Sequence, residues 1–181
     1  LTRHQELLES FVPLTFVGNH DVTRIASRLT DRRHLPHTVA LLMTLGGTPT
    51  IYAGDELGMT GVKEERAGGD DAVRPQFPAT PGELSPEGAE VLRLHQELIG
   101  LRRRNPWLHT ARTERLTCTN TTLVLRSSAR EGEGSLLLAL SVDEAPVRLD
   151  VPGAASVLAG AGHLHDGTVE LEPHGWAVLG A

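Results

Sequence analysis

Asn19-His20-Asp21 and Asp55-Glu56 are the residues of this 181-residue chain whose types and crowding point first to chemistry. A carboxylate can serve as nucleophile, as acid or base, or as a fixed negative charge, and an imidazole beside it can exchange hydrogen bonds with a polar ligand. Each group follows a short apolar run. Leu14 to Val17 leads into Gly18-Asn19-His20-Asp21, and Gly47-Thr48-Pro49-Thr50-Ile51-Tyr52-Ala53 leads into Gly54-Asp55-Glu56. A run that is continuously rather than alternately apolar reads as a strand covered on both faces. Polar residues just past such strands lie where parallel α/β folds place their chemistry. The spacing therefore predicts two consecutive parallel strands that present a polar rim, with Asp21 as the leading candidate. It leaves open that Asn19 and Asp21 merely cap the next helix and that His20 is a partly buried hydrogen-bonder, since Asn and Asp are preferred caps.

The flanking elements suit that rim. Leu7, Leu8, Phe11 and Val12 recur at helical spacing over Leu1 to Val12, and Pro13 stops the run. Val22, Ile25 and Leu29 predict a short helix after the first strand. Pro36 opens another that carries Val39, Leu42, Met43 and Leu45 and closes at Gly46-Gly47. Thr48 to Tyr52 is the second strand, and strand–helix–strand with this spacing is a βαβ unit. Gly58 to Leu84 reads as a long loop. Ser85-Pro86-Glu87 caps and opens a helix with Val91, Leu94, Leu98 and Leu101 as its stripe and Arg102, Arg103 and Arg104 at the end that favours cations.

After residue 110 the texture changes to short β-rich runs. They are Leu116 to Thr119, Leu123 to Arg126, Leu136 to Val142, Val147 to Val151, Thr168 to Leu171 and Trp176 to Leu179. Turn residues punctuate them, the pattern of an antiparallel sandwich. The reading is α/β over 1–110 followed by an all-β domain over 111–181.

Composition narrows the function classes. The net charge is −6, which disfavours a nucleic-acid backbone or an anionic membrane as partner. A single cysteine, Cys118, excludes an internal disulfide and a cysteine-based zinc cluster. No apolar run approaches a membrane span of about 18 residues. No signal peptide is visible, and a cytoplasmic location is expected over a secreted one. Of 17 basic residues only Lys63 is a lysine, which suits a high-GC bacterial genome.

Taken together the two rim stretches resemble the α-amylase family of retaining glycoside hydrolases. Phe16-Val17-Gly18-Asn19-His20-Asp21 is similar to that family's fourth conserved region, and Gly47 to Met59 to its eighth-strand segment. Leu171-Glu172-Pro173-His174-Gly175-Trp176-Ala177-Val178-Leu179 is similar to the end of its C-terminal β-domain. The resemblance implies strands seven and eight of a (β/α)8 barrel followed by a β-sandwich, and action on α-glucans or α-glucosides with no cofactor. Retention needs two carboxyl groups about 5–5.5 Å apart, and in the family a third carboxylate grips the distorted sugar. The resemblance makes Asp21 that third carboxylate, His20 a donor to the sugar at the cleavage subsite, and Asn19 the residue that orients the turn.

The nucleophilic Asp and the acid/base Glu belong to strands four and five in this family, and no residue here matches them. Asp55 and Glu56 match the rim of strand eight instead. A (β/α)8 barrel takes about 250 residues, more than the 110 that precede the sandwich. The chain is expected to be inert alone and to work with a missing N-terminal part as its partner. Gly68-Gly69-Asp70-Asp71-Ala72-Val73-Arg74-Pro75 resembles an acidic-then-Arg-Pro stretch of some members, which makes Asp71 and Arg74 secondary sugar contacts, the plain reading being a solvated loop ion pair.

No metal is expected. His34-x-x-His37 and His163-x-His165-Asp166 have workable spacings, but neither has a cysteine or a third ligand nearby. The alternatives are a non-catalytic carbohydrate-binding or structural module and a catalytically silent family member. Only 3% of the residues are aromatic, few for a module that stacks sugars on exposed rings.

Overall fold

The computed structural model describes residues 1–181, the side chain of Pro81 apart. Helix α1 spans Thr2–Leu8 and ends before Phe11 and Val12, short of the range that periodicity predicts. Strand β1, Leu14–Thr15, pairs parallel with β2, Thr48–Pro49, in the register Leu14↔Thr48 and Thr15↔Pro49. Thr48 N–H donates to Pro13 O at 2.9 Å and Thr50 N–H to Thr15 O at 2.7 Å, the alternating donors of a parallel ladder. Between them lie α2, Ile25–Arg28, and α3, Leu35–Thr44, so the predicted βαβ unit is present.

Both strands are shorter than predicted, and β1 is not covered on both faces. Leu14 is 67% exposed and Phe16 55% exposed. Among the described residues β1 has a partner on one edge only. Pro49 has no N–H to offer, which also limits the ladder.

Helix α4, Pro86–Arg104, starts as predicted: Ser85 Oγ accepts from Gly88 N–H, and Pro86 sits in the first turn. Its end does something the sequence does not announce. Arg102 leaves its own helix and donates to Met43 O and Leu45 O, both at 2.8 Å, and to Gly47 O and Leu108 O. It thereby satisfies carbonyls that the C-terminus of α3 leaves open. Burial pulls the Arg102 guanidinium down to about 10.

The β part holds two antiparallel sheets. Strands β3 (Arg112–Cys118), β4 (Thr122–Ser128), β5 (Ser135–Ser141), β7 (Ser156–Gly160) and β10 (Trp176–Gly180) form one, in the order β3-β4-β5-β10-β7. Strands β6 (Val147–Asp150), β8 (His163–His165) and β9 (Thr168–Leu171) form the other, in the order β6-β9-β8. The sequence runs miss β7 and β8. Both are edge strands, and most of their residues are exposed, so they lack the apolar density that marks a buried run.

Strand β5 explains how the layers stack. Leu136, Leu138 and Leu140 join Val39, Leu42, Met43, Leu98, Leu101 and Leu108 of the helical part in one core. Leu137 and Ala139 point the other way and pack with Leu149, Val151, Val169 and Leu171 of the smaller sheet. Successive residues of a strand face opposite sides, and here both sides are covered. That is why Ser135-Leu-Leu-Leu-Ala-Leu-Ser141 reads as an unbroken apolar run although the sheet is antiparallel. The first core continues across residue 110, which fixes the rim relative to the sheet. No helix is long and apolar enough to cross a membrane.

Candidate active-site rim

The residues after β1 make a tight polar turn. Asn19 Oδ1 accepts the N–H of Asp21 at 2.8 Å, so the asparagine side chain builds the turn. His20 Nε2 lies 3.3 Å from Asp21 Oδ2, with the two side chains 63% and 61% exposed. Neither Asn19 nor Asp21 caps α2. The residue at that helix's N-cap is Arg24, and no side chain caps it. The capping alternative is therefore set aside: Asn19 orders a turn, and the Asp21 carboxylate faces solvent beside an imidazole.

Beneath the turn lies a buried ion pair. Arg24 is 1% exposed, and its Nη1 donates to Asp55 Oδ1 at 2.8 Å, Asp55 being 3% exposed. The same guanidinium donates to Val73 O at 3.0 Å and Ala53 O at 2.8 Å and stacks 4.5 Å above the Tyr52 ring. Tyr52 adds its hydroxyl to Val73 O at 3.1 Å. Three segments are thereby bolted together: the turn after β1, the turn after β2 and the loop around Val73. Burial pushes the Asp55 carboxyl above its ordinary range, against the opposing pull of Arg24. Glu56 has a local task, accepting the N–H of Gly54 at 2.8 Å.

Gly18 lets the turn lie on this pair. A Cβ there would stand 2.7 Å from Asp55 Oδ2, a buried oxygen with no hydrogen-bond partner. Gly18→Ala is expected to lower stability by about 1–3 kcal/mol, the usual cost of overpacking, read as a lower urea midpoint. An unchanged midpoint would mean that the turn rides free of Asp55.

The long loop is anchored close by, since Lys63 N–H donates to Thr23 Oγ1 at 3.0 Å and Gly61 N–H to Ser27 Oγ at 2.9 Å. The ion pair in it is not the one that the sequence suggests. Arg74 pairs with Asp70, 3.1 Å away at helical i,i+4 spacing, and Lys63 reaches the same carboxylate at 3.3 Å. Asp71 stays exposed. Among the described residues no hydrogen bond or ion pair joins Asp71 or Arg74 to Asn19, His20 or Asp21. Arg24 is the residue that sequence reasoning misses here. The only hint of it is an arginine at the third place after Asp21, and nothing in its spacing marks it as buried.

Residues 1–81 match the family model described as "Alpha amylase, catalytic domain". Over that part the chain is similar to the catalytic domain of the α-amylase family. It is 38% identical over 93 residues to a maltogenic α-amylase of Bacillus acidopullulyticus, which covers 51% of this chain and 14% of that protein. It is 36% identical over 59 residues to a 4-α-glucanotransferase of Thermotoga maritima, covering 32% of the chain and 13% of the relative. The chain thus spans about one-seventh of these relatives. Solved structures show the likeness of fold beyond residue 81. An isomaltulose synthase from Klebsiella sp. LX3 superposes on 99% of the chain with a TM-score of 0.77 at 19% identity, over 45% of its own length. The Nostoc punctiforme debranching enzyme does so over 99% with a TM-score of 0.76 at 21% identity, over 37% of its own length. The α-amylase family match ends inside the long loop, so Asn19, His20, Asp21, Asp71 and Arg74 all fall within it.

Proposed function

We propose that this chain is the C-terminal part of a retaining glycosidase or transglycosylase that acts on α-glucosidic bonds, and that Asp21 is its transition-state-stabilising carboxylate. β1 and β2 are read as strands seven and eight of a (β/α)8 barrel. The single observation that carries the reading is Asp21 beside His20, on an Asn19-built turn just past a parallel strand.

The chemistry follows from placement. As the glycosidic bond breaks, positive charge builds at the anomeric carbon and the sugar ring flattens. A carboxylate that accepts hydrogen bonds from ring hydroxyls holds that flattened geometry and lowers the barrier more than it tightens ground-state binding. Asp21 takes this role, His20 donates to a sugar oxygen, and Asn19 holds both at a fixed angle. Asp71 and Arg74, in the loop that Arg24 anchors through Val73, are proposed contacts to the non-reducing sugar.

The nucleophile and the acid/base are assigned to the preceding part of the same enzyme. The apolar surface around Leu14, Phe16 and Phe11, each more than half exposed, supports a further strand and helix packing there. The rival reading, a sugar-stacking module, needs exposed indoles, but Trp107 and Trp176 both pack against the main core.

The test is the complete enzyme on maltodextrins and on α,α-linked disaccharides, with the first product followed by proton NMR. The α-anomer is expected first, and residues 1–181 alone are expected to turn over neither substrate. A β-anomer appearing first, or no turnover by the complete enzyme, overturns the proposal.

A further inference from the structure

Away from the rim, four titratable side chains converge where the segment before α3 meets the turn between β9 and β10. His34 Nε2 lies 2.8 Å from His174 Nδ1. One ring nitrogen of each and one Asp31 carboxylate oxygen lie within 4.8 Å of one another. On the far side of its ring, His174 Nε2 stands 3.0 Å from Glu144 Oε2, off the line of a good hydrogen bond. His174 is buried and has a φ of +54°, a conformation uncommon for a residue with a side chain. His37 Nε2 donates to the His174 carbonyl at 2.9 Å and braces that turn.

The 3.0 Å approach of Glu144 Oε2 favours the tautomer with the His174 proton on Nε2, which presents the Nδ1 lone pair to His34. A carboxylate behind one nitrogen with the other nitrogen free is how metal-ligating histidines are oriented. We propose that Asp31, His34 Nε2 and His174 Nδ1 form a site for a zinc-class divalent cation, the proton that bridges the two rings moving to His34 Nδ1 as the cation enters. The cation would tie the helical part to the β-sheets, with solvent in the fourth position.

The two rings need little adjustment. Zn–N bonds of about 2.0–2.1 Å in a tetrahedron set two nitrogens roughly 3.3 Å apart, so the rings must part by about 0.5 Å. Asp31 Oδ1 already accepts from the Arg33 N–H at 2.8 Å and from its Nε at 3.1 Å, and Oδ2 from Nε at 2.9 Å and Nη2 at 2.6 Å. The exposed Arg33 side chain must therefore swing off one oxygen to free a lone pair for the cation. With the imidazoles neutral, the negative charges of Asp31 and Glu144 exceed the one positive charge of Arg33, so the site favours a cation. Two imidazoles and one carboxylate suit zinc over calcium or magnesium, which take oxygen ligands. The sequence conceals this set because His34 and His174 stand 140 residues apart, and the His34-x-x-His37 spacing points to the wrong partner.

The complete protein, stripped with EDTA, is titrated with zinc chloride by calorimetry, and bound zinc is counted by mass spectrometry after dialysis. Wild type should hold one zinc per chain more than His174→Ala. Above the imidazole pKa its binding heat should not depend on the buffer, because neutral histidines bind the metal by a shift of tautomer. His34→Ala should weaken this site by about 100-fold or more. Glu144→Gln, at a residue whose side chain is 80% exposed and so spares the fold, should weaken it by about 10–100-fold. Cobalt should give the visible bands of a tetrahedral ion in wild type and lose them in His174→Ala. His165→Ala, on a β-hairpin away from the cluster, should change nothing. Equal zinc content in wild type and His174→Ala, or an affinity that Glu144→Gln leaves unchanged, overturns the proposal and leaves a hydrogen-bonded histidine bridge only.

Discussion

Asp21→Asn in the complete enzyme is expected to lower kcat on maltodextrins by about 10²–10⁴-fold while changing KM little. Hydrogen bonds to the sugar that tighten in the transition state supply several kcal/mol, and each 1.36 kcal/mol is tenfold in rate. Asparagine keeps the size and one acceptor oxygen, so substrate can still be held. It loses the full negative charge that the proposed role sets against the developing oxocarbenium, and in that role the loss falls mainly on the transition state. The substitution should also be gentle on the fold. The Asp21 side chain is mostly exposed, and its contact to the protein is the 3.3 Å approach of His20. Steady-state kinetics with a denaturation midpoint checks both halves. Near-normal kcat removes Asp21 from the mechanism, whereas a large fall in the midpoint would make it a structural residue.

The rim was legible because its determinants are local. Asn-His-Asp after an apolar run, with a matching run before Gly-Asp-Glu, contains the turn, the parallel strands and the leading carboxylate in adjacent residues. The cap of α4 was equally local, since Ser85 and Gly88 are three apart. What could not be read was set by partners far away in the chain. Arg24 finds Asp55 and Val73, Arg102 finds the carbonyls of α3, and His34 finds His174. None of these pairings leaves a periodicity. The exposure of Leu14 and Phe16 leaves no mark in the sequence for a related reason: apolar composition states that a strand suits burial, not what covers it.

Breaking the Arg24–Asp55 pair from one side is expected to be the most destabilising single change in this part of the molecule. Asp55→Ala leaves a guanidinium uncompensated in a site that is 1% exposed, and removing one partner of a buried pair costs about 3–5 kcal/mol. Arg24→Met strands the Asp55 carboxylate and also frees the carbonyls of Ala53 and Val73, so its cost should be at least as large. The double variant Arg24→Met, Asp55→Leu removes both charges at once. Its loss should fall short of the summed single losses by about 0.5–3 kcal/mol, the range for side chains in direct contact. Strict additivity in urea denaturation would mean that the pair carries no mutual energy.

Acid adds a second reading. The Asp55 carboxyl titrates above its ordinary value of 3.8 because burial outweighs Arg24. Its contribution is therefore greatest below the unfolded value and is lost as pH rises through the folded one. Wild type should gain stability relative to the double variant on acidification across that interval, and a gap that is flat or widens the other way would mean that Arg24 wins over burial. The consequence reaches the chemistry through the chain itself. Arg24 is three residues from Asp21 and ties that turn to the second strand's exit and to the long loop. Loosening it should therefore lower kcat of the complete enzyme at temperatures where the variant is still folded, because the carboxylate is then present but no longer aimed.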